Sequence, residues 1–299
     1  FPMTSAADSA RPAWVREIAS WPSEELAARL TFLTLLFAPI GDWYITPAVM
    51  VLSAAGLLLR DLWRSPWLWT VLALLSSIRV VVDWPMADNH AYLLAYWCTA
   101  FAVVLWLDDI NSLASNARLL IGLTFAFAAW QKWTAPDYTN DVFFLTTFLL
   151  DDRFEDFAVL FGGLTYEQIY LARDYLEGDY RSGPAEVGLP LEPPFAFQLL
   201  ARLSTLWNLI EQTAVAVVFL APSASMIGRL RDPLLLVFCF TIYAVAPVAS
   251  FGWLLIAMGV AQAVPSVAIR LWYLAAFGVL MLYYEVPWAL LLVEILGAK

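Results

Sequence analysis

Nine apolar runs follow one another along this chain, most of them close to the length a helix needs to cross a lipid bilayer. They lie at about residues 26–40, 46–60, 66–82, 90–107, 117–134, 195–221, 233–248, 250–264 and 267–284, with an apolar tail to Leu296. About 20 helical residues cover about 30 Å of hydrocarbon, and backbone in lipid must satisfy its own hydrogen bonds, so such runs fold as helices. A water-soluble core has no use for this much apolar surface, since 62% of the 299 residues are hydrophobic and 15 are tryptophan. The expected fold is all-α, a polytopic transmembrane helical bundle of about eight spans, within a range of seven to nine. Pro39–Ile40–Gly41, Pro47, Pro247 and Pro287 interrupt apolar stretches, so some runs are expected to be half-helices or tilted elements packed inside the bundle.

The net charge of −10 is unevenly spread. Residues 135–194 carry twelve carboxylates against Arg153, Arg173 and Arg181, and the remainder is nearly neutral. This divides the chain into an N-terminal interfacial segment (1–24), a first transmembrane half (25–134), an acidic extramembrane or interfacial segment (135–194) and a second transmembrane half (195–299). In the first segment Trp14, Ile18 and Trp21 recur at helical spacing with Arg16 and Glu17 off that stripe, the pattern of a short helix lying in the interface. No basic region followed by an apolar core opens the chain, so no cleavable signal peptide is expected; residue 1 is not Met, which fits a processed, truncated or tagged chain.

Within 135–194, residues 142–150 are apolar but too short to span, and Asp151, Asp152, Arg153, Glu155 and Asp156 follow at once, which reads as an interfacial or re-entrant element. Thr165 with Gln168 three residues on forms a capping-box pattern, predicting a helix to about Glu177. Gly178 through Pro194, with Gly183–Pro184, Pro190 and Pro193–Pro194, reads as loop or polyproline. Placing the Arg60/Arg64 and Arg229/Arg231 clusters on the cytoplasmic side puts the acidic segment outside the cytoplasm.

Composition excludes several chemistries. One histidine and two separated cysteines cannot form a bis-histidine haem site, a zinc finger or an iron–sulfur cluster, so neither haem nor metal is expected. Cys98 and Cys239 fall in apolar runs, where free thiols behave as small hydrophobes. The acidic balance and the lack of a basic stripe argue against nucleic acid. The expected partners are the lipid bilayer and proteins docking on the acidic segment.

Lysine usage is the most informative detail. Fourteen of the 16 cations are arginine, and the lysines are Lys132 and the terminal Lys299. Lys132 ends an apolar run between Trp130 and Trp133, where it either snorkels to the interface or acts as a base, because a desolvated lysine can shed its proton and a guanidinium cannot. His90, the single histidine, opens a span beside Asp88 and Asn89; it either belongs to a helix cap or joins a site. Glu211 lies inside an apolar run and reads as a proton acceptor, as a counter-ion to Lys132 or an arginine, or as half of a buried pair that fixes packing. Arg79 and Asp83 are four apart and are expected to pair on one helix face. The tryptophan- and tyrosine-rich span ends suit interface belts, and some of these rings suit the wall of an apolar pocket.

Asn89–His90–Ala91–Tyr92–Leu93 at the start of a span is followed about forty residues on by Phe127–Ala128–Ala129–Trp130–Gln131–Lys132–Trp133 and then Pro136–Asp137–Tyr138. Over roughly residues 25–265 this order resembles the transmembrane domain of vitamin K-dependent gamma-glutamyl carboxylase, shared with microbial relatives as the HTTM family. The resemblance implies a reduced, vitamin K-like quinone as cofactor, with Lys132 as the base that deprotonates it and His90 assisting. Asn89, Tyr92, Trp130, Trp133 and Glu211 are the expected ligand-binding neighbours. The chain departs from that family in three ways. No counterpart of the carboxylase's large lumenal domain is expected within these 299 residues, the lysine to Pro-Asp-Tyr spacing is one residue longer, and Phe238–Cys239 stands where a later helix carries Phe-His. Quinone chemistry is therefore implied and peptide glutamate carboxylation is not. Two other functions fit the same chain: a non-catalytic accessory subunit of a larger membrane complex that docks through 135–194, or a maturation factor for a secreted peptide.

Overall fold

The computed structural model describes residues 20–182, 193–246, 248–263 and 266–297 together with Pro12, Glu17 and Ile18, with side chains outside 176–182. Among these residues the protein is a helical bundle without strands. Its helices are α1 (Ser23–Phe37), α2 (Thr46–Leu58), α3 (Pro66–Val82), α4 (Asn89–Trp106), α5 (Ser112–Thr134), α6 (Pro136–Thr139), α7 (Val142–Leu150), α8 (Glu155–Gly162), α9 (Tyr166–Ser182), α10 (Phe195–Leu220), α11 (Arg231–Val245), α12 (Ala249–Gln262), α13 (Val267–Glu285) and α14 (Trp288–Leu296).

Three of these, α5, α10 and α13, are long and apolar enough to cross a membrane. The other apolar runs also form helices but are shorter: α12 has 14 residues, about 21 Å at 1.5 Å per residue. Proline sets several of the breaks. α1 stops at Phe37 before Pro39, α2 carries Pro47 in its first turn, and α14 starts just after Pro287. These are positions where a missing N–H costs a helix nothing. Pro247 lies outside the described residues.

Cross-helix bonds fix the directions. Lys132 meets Asn208 near one end of α5, and Arg118 meets Ser223 at the other, so α5 and α10 run antiparallel. Glu211 meets Thr241 and Val218 meets Arg231, so α10 and α11 are antiparallel too. The core is centred on α12, which packs against α1, α5, α11 and α13 and is buried along nearly its whole length. Close approach is made by small residues: a Cβ on Gly259 would lie 2.6 Å from the Tyr273 ring, and one on Gly252 would lie 2.2 Å from Leu280. A ring stack, Phe32–Trp69–Phe101 with centroids 4.9 and 3.9 Å apart, ties α1, α3 and α4 together.

The segment after α5 builds a second, smaller core. Phe144, Phe148, Phe154, Val159 and Ile169 gather with Phe197 of α10 and Val293 of α14. The expected short element at 142–150 is α7, whose Phe148 is fully buried against Phe197 rather than facing lipid. The capping box forms reciprocally: Gln168 N donates to Thr165 Oγ1 at 3.2 Å, and Thr165 N donates to Gln168 Oε1 at 2.9 Å. The helix it opens runs to Ser182, beyond the expected end at Glu177, because one interior glycine weakens a helix by only about 1 kcal/mol and no proline intervenes before Pro184. The loop expected from 178 therefore begins later, and its stretch 183–192 lies outside the described residues. Most of the expected N-terminal helix does as well; of it, Ile18 and Trp21 pack on the main core, with the Arg29 guanidinium 4.6 Å from the Trp21 ring. Arg79 and Asp83 pair, and both cysteines are free and buried.

Candidate functional site

Helical periodicity divides the Asn-His-Ala-Tyr-Leu motif between two cavities. Residues at i, i+3, i+4 and i+7 share one helix face, so Asn89, Tyr92, Leu93 and Tyr96 of α4 look the same way. They line a cavity of about 320 Å³ together with Thr124, Phe125, Gln131 and Lys132 of α5, Gln212 of α10 and Phe251 of α12. His90 points about 100° around the helix from Asn89. It lines a neighbouring cavity of about 200 Å³ with Thr34 of α1, the Arg79–Asp83 pair, Asp88, Leu94 and Ser250. The Phe251 ring lines the Lys132 cavity, and its centroid is 6.5 Å from that of His90.

Lys132 reaches across the α5–α10 interface. Its Nζ donates to Asn208 Oδ1 at 2.7 Å and lies 5.3 Å from the centre of the Tyr138 ring, just past the end of α5. Among the described residues no carboxylate forms an ion pair with it. Tyr138 stacks on Phe143 at 4.1 Å, and burial pushes its hydroxyl pKa well up, so it stays a neutral phenol. The lysine thus has a neutral acceptor and an aromatic face, the surroundings in which both of its protonation states can be held.

Gln212 contributes an unmet need. Its Oε1 is buried, has no hydrogen-bond partner among the described residues, and belongs to a side chain lining the Lys132 cavity. A ligand with a hydroxyl donor would satisfy it.

The other expected neighbours stand apart. Trp130 and Trp133 are 67% and 53% exposed on the outer side of α5, and Trp133 Nε1 donates to Thr213 Oγ1 at 3.1 Å. Neither lines the Lys132 cavity. Glu211 is buried but turned toward α11, where its carboxylate accepts from Thr241 Oγ1 at 2.9 Å. His90 Nε2 is 3.7 Å from the carboxylate of Asp88, which occupies the N-cap position of α4 without a side-chain capping bond. Asn208 and Gln212, one turn apart on α10, carried no motif; the available signal was an amide pair inside an apolar run. Among the described residues no group of three or more His, Cys, Asp or Glu gathers to hold a metal.

No family model matches the chain, and neither a curated protein nor a solved structure does.

Proposed function

We propose that the chain is a multi-pass integral membrane enzyme of the HTTM class that binds a reduced quinone in the Lys132 cavity, where the Lys132 amine takes a phenolic proton. The observation that carries this reading is the pairing, in one cavity, of a lysine that forms no ion pair and a buried acceptor, Gln212 Oε1, that has no donor among the described residues. Cavities of about 300–1,000 Å³ suit small organic ligands, and the walls combine Leu93, Phe125 and Phe251 with a few polar groups. Phe125 and Phe251 suit the quinone ring, Gln212 would accept from its hydroxyl, and Asn89, Tyr92 and Tyr96 would fix its orientation. His90 assists from the neighbouring cavity, its ring 6.5 Å from that of Phe251.

About eight crossings and an extracytoplasmic acidic segment belong to the same reading. The end of the bundle with Arg60, Arg64, Arg118, Arg229 and Arg231 is placed in the cytoplasm, and the end with Lys132 and the acidic helices outside. Exposed Trp67, Trp106 and Trp272 at the arginine end, with Trp43, Trp84, Trp130 and Trp133 at the other, fit two interface belts.

Purified protein reconstituted in lipid should convert a naphthohydroquinone to epoxide or quinone under oxygen, and Lys132→Met with native circular dichroism should abolish that turnover. Unchanged turnover would reject the reading. A docking role for the acidic segment draws on half-exposed Tyr170 and Leu171 beside its carboxylates. It prevails if gentle solubilisation co-isolates fixed partners whose assembly and activity survive Lys132 and His90 substitution.

A further inference from the structure

At the arginine-bearing end of the bundle two guanidiniums share one hydroxyl. Arg231, buried at the start of α11, donates from Nε to Val218 O at 3.0 Å, from one terminal nitrogen to Ala221 O, and from the other to Ser223 Oγ at 3.3 Å. Arg118 of α5 donates to the same Ser223 Oγ. A hydroxyl oxygen can accept from both, but it carries no charge to offset two cations held this close. The carboxylate nearest in sequence is engaged elsewhere, because Asp232 accepts from Tyr273 Oη at 2.8 Å and from Gln262 Nε2 at 2.7 Å. Among the described residues none of Arg118, Arg229 and Arg231 forms an ion pair.

The surroundings indicate which anion fits. α5 and α10, two of the three helices of membrane-crossing length, both have an end here. The connection between α10 and α11 presents Met226, Ile227 and Leu230 to the outside, 82%, 49% and 50% exposed, with Arg229 among them. Apolar side chains next to arginines that form no ion pair among the described residues match the boundary between acyl chains and headgroups. The cavity near Arg29, Arg60 and Arg64 differs, because Glu17, Glu25 and Asp61 line it with them and balance the charge.

We propose that Arg118 and Arg231, with the Ser223 hydroxyl between them, hold the phosphate of an anionic phospholipid headgroup, with Arg229 in the adjoining exposed connection and Met226, Ile227 and Leu230 entering its acyl layer. Arginine forks are suited to two phosphate oxygens at once, and a phosphate would supply the charge that Ser223 lacks.

The test is native mass spectrometry of the full chain in mild detergent, titrated separately with phosphatidylglycerol and phosphatidylcholine, with thermal melts in inorganic phosphate alongside. Phosphatidylglycerol should bind more tightly than phosphatidylcholine, and Arg118→Gln should weaken it by about fivefold, the size of one arginine's contribution at an anionic surface. Ser223→Asp, which puts a carboxylate between the two guanidiniums, should remove the preference while leaving the melting temperature unchanged or higher; this keeps the test valid if Arg118→Gln fails to fold. Equal binding of the two lipids, or a preference that survives both substitutions, overturns the proposal. Stabilisation by inorganic phosphate without any lipid preference overturns the lipid as the source of that phosphate.

Discussion

Lys132 Nζ and Asn208 Oδ1 meet at 2.7 Å across the interface of two membrane-length helices. An amide oxygen can accept from an ammonium or from a neutral amine and favours the ammonium far less than a carboxylate, which would hold it charged. Asn208→Asp is therefore expected to fold and to lose about a hundredfold or more in hydroquinone turnover, the scale of a lost general base. Asn208→Leu strands the amine without an acceptor and should cost about 1–3 kcal/mol, read as a lower melting midpoint.

Gln212 should separate binding from chemistry. If its unmet Oε1 receives a ligand hydroxyl, Gln212→Leu removes an interaction made equally before and during reaction, so KM should rise about five- to tenfold with kcat nearly unchanged. An equal fall in kcat and kcat/KM would place Gln212 in the transition state instead.

The acidic segment offers a prediction independent of any activity. Thr165 Oγ1 accepts from Gln168 N at the start of α9. Thr165→Ala should destabilise that helix by about 1 kcal/mol, seen as faster amide exchange in its first turn with the bundle unchanged.

pH acts on the same segment through two carboxyl groups shifted in opposite directions. Hydrogen bonds from the Arg153 guanidinium, at 2.9 and 2.5 Å, hold the Asp151 carboxyl below the usual carboxylate range. Its folded value lies below its unfolded one, so this contribution is present above the ordinary aspartate range and is lost as pH falls through it to the depressed value. Burial raises Glu155, opposed by the Arg173 guanidinium, so its contribution is full below the ordinary glutamate range and is lost as pH rises through the raised value. In thermal melts from pH 7 to pH 3, Asp151→Asn should flatten the acid-side loss of stability and Glu155→Gln should steepen it.

The apolar runs located the bundle helices because run length and proline position are local signals, and Thr165/Gln168 and Arg79/Asp83 were legible for the same reason. The number of crossings was not, because α12 is apolar throughout yet short and enclosed by other helices, and apolarity does not distinguish a lipid neighbour from a protein one. At the site, sequence order grouped Asn89, His90 and Tyr92 as a unit, whereas α4 sends His90 to a different cavity from its neighbours; the helical period held that information. Trp130 and Trp133 flank Lys132 in sequence but turn outward for the same geometric reason. Asn208 and Gln212 stood out only as amides in an apolar run and could not be tied to Lys132, because they lie 76 or more residues from it and only the antiparallel packing of α5 and α10 brings them together.

The placement of Phe251 has a consequence for mutagenesis. Its ring lines the Lys132 cavity and lies 6.5 Å, centre to centre, from the His90 imidazole. A change of bulk at position 251 is therefore felt beside both groups, so one substitution there alters the surroundings of the histidine and the room beside the lysine together.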